Sequence, residues 1–332
     1  QTVKTKTVTE ELKNRLGETQ VAVADSCGGF KAMPRMAADV LRLFKGCENV
    51  IMMPANRGLR FFAPLFLTYN KFYRRRIHYI VIGGWLDTFL ESHKWLVRLL
   101  KKFDAIYVES ETMKAALCER GFDNAVVMHN FKKLNSLSEN ELEYPNDEPY
   151  KLCTFSRVMK EKGIEDAMDA VKTVNSRLGR TVYTLDIFGQ VDKDYEERFS
   201  ELKKTFPDFI RCGGAIAAYR STETLKSYFA LLFPTYYRGE GFAGTLIDAM
   251  SAGVPVIASD WKYNSEFVVP GKTGVIIENC NSEKLAKVLA DIADNPEKWN
   301  SMRLSALREA EKYSPEKASR PLIDRINGRD CL

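Results

Sequence analysis

The chain of 332 residues contains no run of about 18 apolar residues, the length that a membrane-spanning helix needs. Nor does it open on a basic stretch followed by an apolar segment and small residues, as an export signal would. Both absences predict a cytoplasmic protein. Histidine is scarce: the three in the chain, His78, His93 and His129, share no ligand spacing with one another or with cysteine and read as structural. The seven cysteines (Cys27, Cys47, Cys118, Cys153, Cys212, Cys280 and Cys331) are odd in number, scattered, and without a C-x-x-C pair. That argues against a disulfide framework or a zinc site and for thiols in a reducing cytosol. Charge of one sign is also missing, with 49 basic against 44 acidic residues and a net charge of +5. The clustered excess of a nucleic-acid binder is absent, leaving a lean towards an acidic partner such as a phosphate or an anionic surface. No repeat of solenoid type is visible.

What is present describes a packed protein of two lobes. Hydrophobic residues make up 45% of the chain and charged residues 28%, near the averages of soluble globular proteins. The length exceeds what one core usually supports. TVTEELKNRLG, Thr7 to Gly17, reads as a helix with a stop glycine, so an opening strand is expected to be missing ahead of Gln1. Short apolar runs then alternate with amphipathic stretches: VAVAD (21–25), NVIMMP (49–54), IHYIVIGG (77–84), FDAIYVES (103–110) and NAVVMHN (124–130), with helices near 32–45, 58–74, 86–101 and 111–120. Such alternation predicts a parallel sheet covered on both faces. The polar, proline-containing stretch 132–150 reads as a linker. After it the alternation restarts, with strands at 151–156, 181–189, 209–214, 230–235, 254–259 and 273–278 and helices near 163–178, 192–206, 221–229, 244–252 and 282–293. Helices near 296–312 and 315–327 close the chain. The expectation is an α/β chain of two doubly wound Rossmann-like domains facing a cleft. Residues 1–145 and 150–312 form the two domains, and 313–332 is a terminal helix packing back on the first. Ligands of such sheets sit beyond the carboxyl ends of the strands.

Two segments carry the chemistry. FPTYYRGEGFAGTLIDAMSAG runs from an apolar strand through a turn rich in glycine into a helix. Gly239, Gly241 and Gly244 let the backbone approach a ligand, and the N–H groups of Phe242, Ala243, Gly244 and Thr245 at the helix start suit a diphosphate. Glu240 at the turn can accept hydrogen bonds from sugar hydroxyls, and Asp248, one turn past Thr245, can face the same ligand. In FSRVMKEKGIEDAMDAV (155–171), Arg157 and Lys162 bracket the turn between strand and helix, where both cations could reach one diphosphate. Asp192-Lys193-Asp194 has the form of an Asp-x-Asp metal motif, but an acid in a first helical turn is a cap more often than a ligand.

Taken together, SRVMKEKG, GEGFAGTLIDAMSAGVPVIASD and NSEFVVPGKTGVII, in this order and spacing, resemble the donor-binding half of the retaining family-four glycosyltransferases of GT-B fold, the glycosyl transferases group 1, in a subgroup like those of capsule and exopolysaccharide synthesis. The resemblance covers most of 150–312 closely and the first lobe more loosely, through FDAIYVESETMKAALCERGF and VVMHNF. It implies that 150–312 is the donor domain and 1–145 the acceptor side. It further implies that Glu240 holds hydroxyls of the donor sugar, Asp248 the ribose, Ile216 the base, and Arg157 and Lys162 the leaving diphosphate. The implied donor is a nucleotide-diphosphate sugar, uridine being the commoner base in relatives, with no cofactor and no metal. The implied acceptor is a glycan or a lipid-linked sugar. The chain departs from the pattern at Asp248, where the family has Glu, and at Gly83, Gly84 and Trp85, which stand where many members carry His-Gly. In those relatives the histidine orients donor and acceptor, so on the acceptor side its role is expected to pass to backbone groups there or to Asp87, or to be dispensed with.

The basic and aromatic stretch 57–76 reads either as an ordinary core helix with a basic end, at Arg74 to Arg76, or as a face resting on an anionic membrane, at the inner side of the plasma membrane. Two alternatives to a transferase are a catalytically silent donor-binding partner and a nucleotide-sugar epimerase. The epimerase requires an acid/base pair aimed at the sugar ring, and none stands beside Glu240.

Overall fold

The computed structural model describes residues 2–24, 33–133, 135–278 and 280–329, which fall into two compact units. The first comprises Gln1–Lys133 with Pro315–Leu332, and the second Leu134–Ser314. The fold class is α/β, with a parallel sheet in each unit.

In the first unit, β1 (Asn49–Met52), β2 (Arg76–Ile80), β3 (Ala105–Val108) and β4 (Ala125–Val127) pair in parallel in the order β1-β2-β3-β4. β3 is buried along its whole length, as expected of a strand covered on both faces. The strand expected at 21–25 is not formed: Val21–Ala24 pair with no strand, and Asp25 lies outside the described residues. The helix expected at 86–101 is two helices, Leu86–Ser92 and Lys94–Leu100, broken at His93 by a non-helical backbone (φ −130°, ψ 52°). The first helix runs over Thr2–Leu16, and its Val8 and Leu12 share a core with Ile80, Ala105, Tyr107, Ala318, Leu322 and Ile323. The chain's last helices, Pro315–Ala318 and Arg320–Ile326, therefore complete the first unit's core. Charged groups fasten them: Arg76 Nη1 donates to Arg325 O at 3.1 Å, and Arg325 Nη1 to Asp104 O at 2.7 Å.

The stretch 57–76 is mostly a core helix, Asn56–Tyr73, which buries Leu59, Ala63 and Phe66. Arg75 Nε donates to Phe44 O at 2.9 Å, so Arg75 and Arg76, two of the five arginines of the stretch, are turned onto backbone carbonyls. Among the described residues no helix is long and apolar enough to cross a membrane.

The second unit has a parallel sheet of six strands: β5 (Tyr150–Phe155), β6 (Tyr183–Phe188), β7 (Ile210–Gly214), β8 (Ala230–Phe233), β9 (Val256–Ser259) and β10 (Gly274–Ile277). Their order is β10-β9-β8-β5-β6-β7. The winding reverses at β5, which pairs with β6 on one side and β8 on the other. That reversal opens a crevice at the carboxyl ends of β5 and β8, where open α/β sheets bind ligands. The helix Ile164–Leu178 buries Ile164, Ala167, Met168, Val171 and Val174, one face at helical period. Its buried Asn175 accepts from Val182 N and Tyr183 N at 3.0 Å and donates to Tyr183 O at 2.8 Å, which sets the entry of β6. The stretch 132–150 holds more structure than a linker, with a 3₁₀ turn at Glu139–Glu141 closed by a capping box on Ser138.

His78 on β2 is fully buried, with Nε2 3.1 Å from Asn49 Oδ1 and Nδ1 3.3 Å from Tyr107 Oη. Burial pushes it from 6.5 down to about 4; Asp104 opposes the shift, and Arg325 and Arg76 add to it. The folded unit thus keeps a neutral imidazole. Its stability is full above pH 6.5 and falls as pH drops towards 4, because the unfolded chain takes up the proton first. The loss across that window is expected to be on the order of 3 kcal/mol. His78→Gln should flatten this part of the stability curve in denaturant titrations at each pH, and parallel curves for the two proteins would refute the assignment.

Candidate active site

The crevice is built by two loops that a glycine lets touch. After β5 the chain passes through a 3₁₀ turn, Lys160–Lys162, to Gly163, which adopts φ +69° before the helix Ile164–Leu178 begins. A Cβ at Gly163 would lie 2.3 Å from Pro234 O on the loop after β8, so only glycine permits this approach. Across the contact Tyr236 N donates to Glu161 O at 2.8 Å. Thr235 Oγ1 lies 3.2 Å from the same carbonyl and 3.0 Å from Glu240 Oε2, two acceptors for its one proton.

This stitching brings Lys162 and Glu240 together as a buried ion pair, the ammonium on Glu240 Oε2. The two side chains are 10% and 8% exposed, so water screens the pair little. The ammonium also lies 5.2 Å from the Phe233 ring centre and 5.3 Å from that of Tyr237. Three further bonds steady the loop that carries Glu240: Glu240 N to Tyr237 O at 3.1 Å, Ser259 Oγ to Thr235 O at 2.5 Å, and Trp261 Nε1 to Tyr237 O at 2.7 Å.

Past Glu240 the helix Gly244–Ser251 starts without a side-chain cap, because Ala243 occupies the N-cap in extended conformation. The N–H groups of a first turn need partners, and an anion is a ready one. Thr245 Oγ1 is buried there and meets no hydrogen-bond partner among the described residues. Phe242 turns its side chain inward, stacked on Phe267 at 3.6 Å and edge-on to Tyr313 at 4.6 Å. It therefore positions the turn, and only its backbone could face a ligand. Asp248 is buried and accepts from Ser221 Oγ, at the start of the helix Ser221–Leu225 that follows β7. The segment carrying the half-buried Ile216 is thus tied to the helix that carries Asp248.

Arg157 does not join Lys162. Its side chain is 61% exposed and its Nη1 lies 3.4 Å from Asp192 Oδ2, on the loop after β6. Val158 N donates to Gln190 O and Asp192 N to Val158 O, both at 2.9 Å, so the start of the β5 loop follows β6 while its end follows β8. Asp192 also caps the turn Lys193–Tyr195, accepting from Asp194 N at 3.2 Å. No group of acids, histidines or cysteines arranged for a metal occurs among the described residues.

In the first unit Gly83, Gly84 and Trp85 follow β2. Gly83 has φ +85° and donates its N–H to Glu109 Oε1 at 3.3 Å, while Trp85 Nε1 donates to Ile82 O at 2.7 Å. Asp87 Oδ1 is buried with no partner among the described residues. Sequence reasoning missed what holds this turn: Glu109 forms a buried ion pair with Lys4, whose Nζ also donates to Val81 O at 3.2 Å. His129 Nδ1 lies 2.9 Å from Glu109 O, so the ends of β2, β3 and β4 are tied together. The signal in the sequence was an acid directly after a wholly apolar strand.

The family model of the glycosyl transferases group 1 matches residues 139–308, just over half of the chain. The chain belongs to that family. It is 28% identical over 169 residues to the poly(glycerol-phosphate) alpha-glucosyltransferase of Bacillus subtilis (strain 168), which covers 50% of this chain and 24% of the relative. It is 29% identical over 143 residues to the UDP-N-acetylglucosamine–peptide N-acetylglucosaminyltransferase GtfA subunit of Streptococcus gordonii, covering 42% and 27% of the two. The matches thus span about a quarter of each of these two relatives' length. Among solved structures, Anabaena Alr3699/HepE in complex with UDP aligns with a TM-score of 0.73 at 16% identity, over 89% of this chain and 82% of that one. The lipopolysaccharide outer core galactosyltransferase WaaB aligns at 0.68 and 17% identity, over 95% and 87%. These likenesses show that the fold is GT-B.

Because the Lys162–Glu240 pair is buried, removing one partner leaves a charge without its counter-ion. Lys162→Met alone is expected to cost about 3–5 kcal/mol, and the double variant Lys162→Met/Glu240→Leu distinctly less. Urea titrations of the four proteins of this cycle test it; additive losses would show that the two side chains are not coupled.

Proposed function

We propose that the chain is a retaining, metal-independent glycosyltransferase. It moves a sugar from a UDP-linked donor to a glycan or lipid-linked acceptor in cell-surface polysaccharide synthesis. The observation that carries this reading is the Lys162–Glu240 pair set beside an uncapped helix start at the reversal of the second unit's sheet. Family membership, and relatives whose names specify glucosyl and UDP-N-acetylglucosamine transfer, support it.

Breaking the bond between a sugar's anomeric carbon and a diphosphate places negative charge on the leaving oxygen. Groups already fixed in place stabilise that charge without reorganising. The ammonium of Lys162 has three N–H donors, so it can keep Glu240 and still take a phosphate oxygen. The N–H groups of Gly244 and Thr245, with Thr245 Oγ1, face the same anion. Together they supply the positive charge that a divalent ion provides in other transferases. Arg157 joins by leaving Asp192, an exposed pair whose loss costs at most about 1 kcal/mol. Glu240, steadied by Lys162 and Thr235, offers its carboxylate to sugar hydroxyls, and Asp248 exchanges Ser221 for a ribose hydroxyl.

UDP is expected to raise the melting temperature, with about 2.7 kcal/mol of stabilisation at a hundredfold excess over its dissociation constant. Lys162→Met should weaken UDP, while Glu240→Gln should keep UDP and lower transfer about 10²–10³-fold. The assay is radiolabelled UDP-sugars with a membrane lipid extract. Absence of any UDP-dependent stabilisation would overturn the donor site. Donor binding without transfer or hydrolysis for any sugar would instead identify a catalytically silent partner.

A further inference from the structure

Two residues other than glycine hold a positive φ among the described residues, Arg74 at 51° and Lys262 at 54°. Arg74 closes the helix Asn56–Tyr73 with its N–H on Asn70 O, a place where helices commonly end in the left-handed conformation. No helix ends at Lys262. It occupies the turn after β9, in which Asn264 N donates to Trp261 O at 3.1 Å across Lys262 and Tyr263. Lys262 thus holds a positive φ inside the turn, followed by Tyr263 at φ −117°, ψ 6°, and a positive φ favours glycine. A lysine there sets its Cβ against the backbone, strain that glycine avoids. Strain of this kind persists where the surroundings impose it, and it gathers at ligand sites.

The side chain adds a second anomaly. Lysines in turns are ordinarily exposed, yet Lys262 is half-buried, and it forms no ion pair among the described residues. The turn is also fastened beside Glu240: the preceding Trp261 donates to Tyr237 O, and Ser259 at the end of β9 donates to Thr235 O. The turn that carries this half-buried lysine, which has no carboxylate partner among the described residues, is therefore fastened to the loop proposed to offer a carboxylate to the donor sugar.

We propose that Lys262 recognises a carboxylate on that sugar, so that the donor is a nucleotide-linked hexuronic acid and not a neutral hexose. This rests on the donor-site reading above, in which the diphosphate already has Lys162, Arg157 and the helix start. A carboxylate at C6 of the sugar would form a charge-assisted hydrogen bond with the ammonium, which a hydroxymethyl group cannot match. The lysine then serves substrate choice, at the expense of the turn.

The test is calorimetric titration of the full chain with UDP, UDP-glucose and UDP-glucuronate, for the wild type and for Lys262→Gln, Lys262→Arg and Lys262→Gly. The wild type is expected to bind UDP-glucuronate at least about tenfold more tightly than UDP-glucose. Lys262→Gln should abolish that ratio and leave UDP unchanged, and Lys262→Arg should restore most of it. Lys262→Gly should lose the ratio and melt at a higher temperature. Equal affinity of the wild type for the two sugars, or a preference that survives Lys262→Gln, overturns the proposal. So does an equal loss of UDP affinity in Lys262→Gln, which would assign the cation to the diphosphate. Failure of UDP itself to bind would sink the donor-site reading and this proposal together, whereas UDP binding without preference sinks this one alone.

Discussion

The contact between the loops after β5 and β8 is the constraint on which the candidate site depends. Parallel strands that reverse their winding leave a crevice, but a crevice alone places no side chain. Gly163, lying against the carbonyl of Pro234, lets the two loops close to backbone distance. Lys162 and Glu240 then meet out of water, and Thr235, Ser259 and Trp261 hold the arrangement from three sides. A buried ion pair of this kind contributes little net stability, since desolvation offsets most of the attraction. Its value here is positional: each charge is held at the turn where the donor site is proposed.

The same economy recurs in the first unit with different residues. Lys4 and Glu109 pair at the carboxyl edge of that sheet, and their acceptors and donors reach Val81, Gly83 and His129. In both units a buried charge pair orders loops that no apolar contact could order, because loops at strand ends expose backbone groups that need polar partners. The hydrophobic residues make the sheets and the layer of helices, and the few buried charges decide how the ends of the strands are arranged.

Much of this was legible in the sequence. Strands such as Ala105–Val108 and Ala230–Phe233 are continuous apolar runs, as a sheet covered on both faces requires, and Gly239 to Gly244 ahead of a helix marked the turn proposed to bind an anion. Boundaries failed where a tertiary contact outweighed local pattern. One amphipathic stretch at 86–101 broke at His93, and Val21–Ala24, β-branched and apolar enough for a strand, paired with nothing described. Arg157 and Lys162 looked equivalent in the sequence. They parted because the start of their loop follows β6 and its end follows β8.

By itself the sequence determined the α/β class, the two sheets and the residue types of the site, which follow from periodicity, glycine placement and local spacing, and its motifs resembled the family whose model matches residues 139–308. Only the tertiary structure decided that Lys162 holds Glu240, that Asp248 accepts from Ser221, that Arg157 stands apart on Asp192, and that Lys262 sits strained beside the same loop. Each of these joins residues on loops and helices that follow different strands of the sheet. Their meeting is set by the order in which the strands pair, and no spacing along the chain records that order.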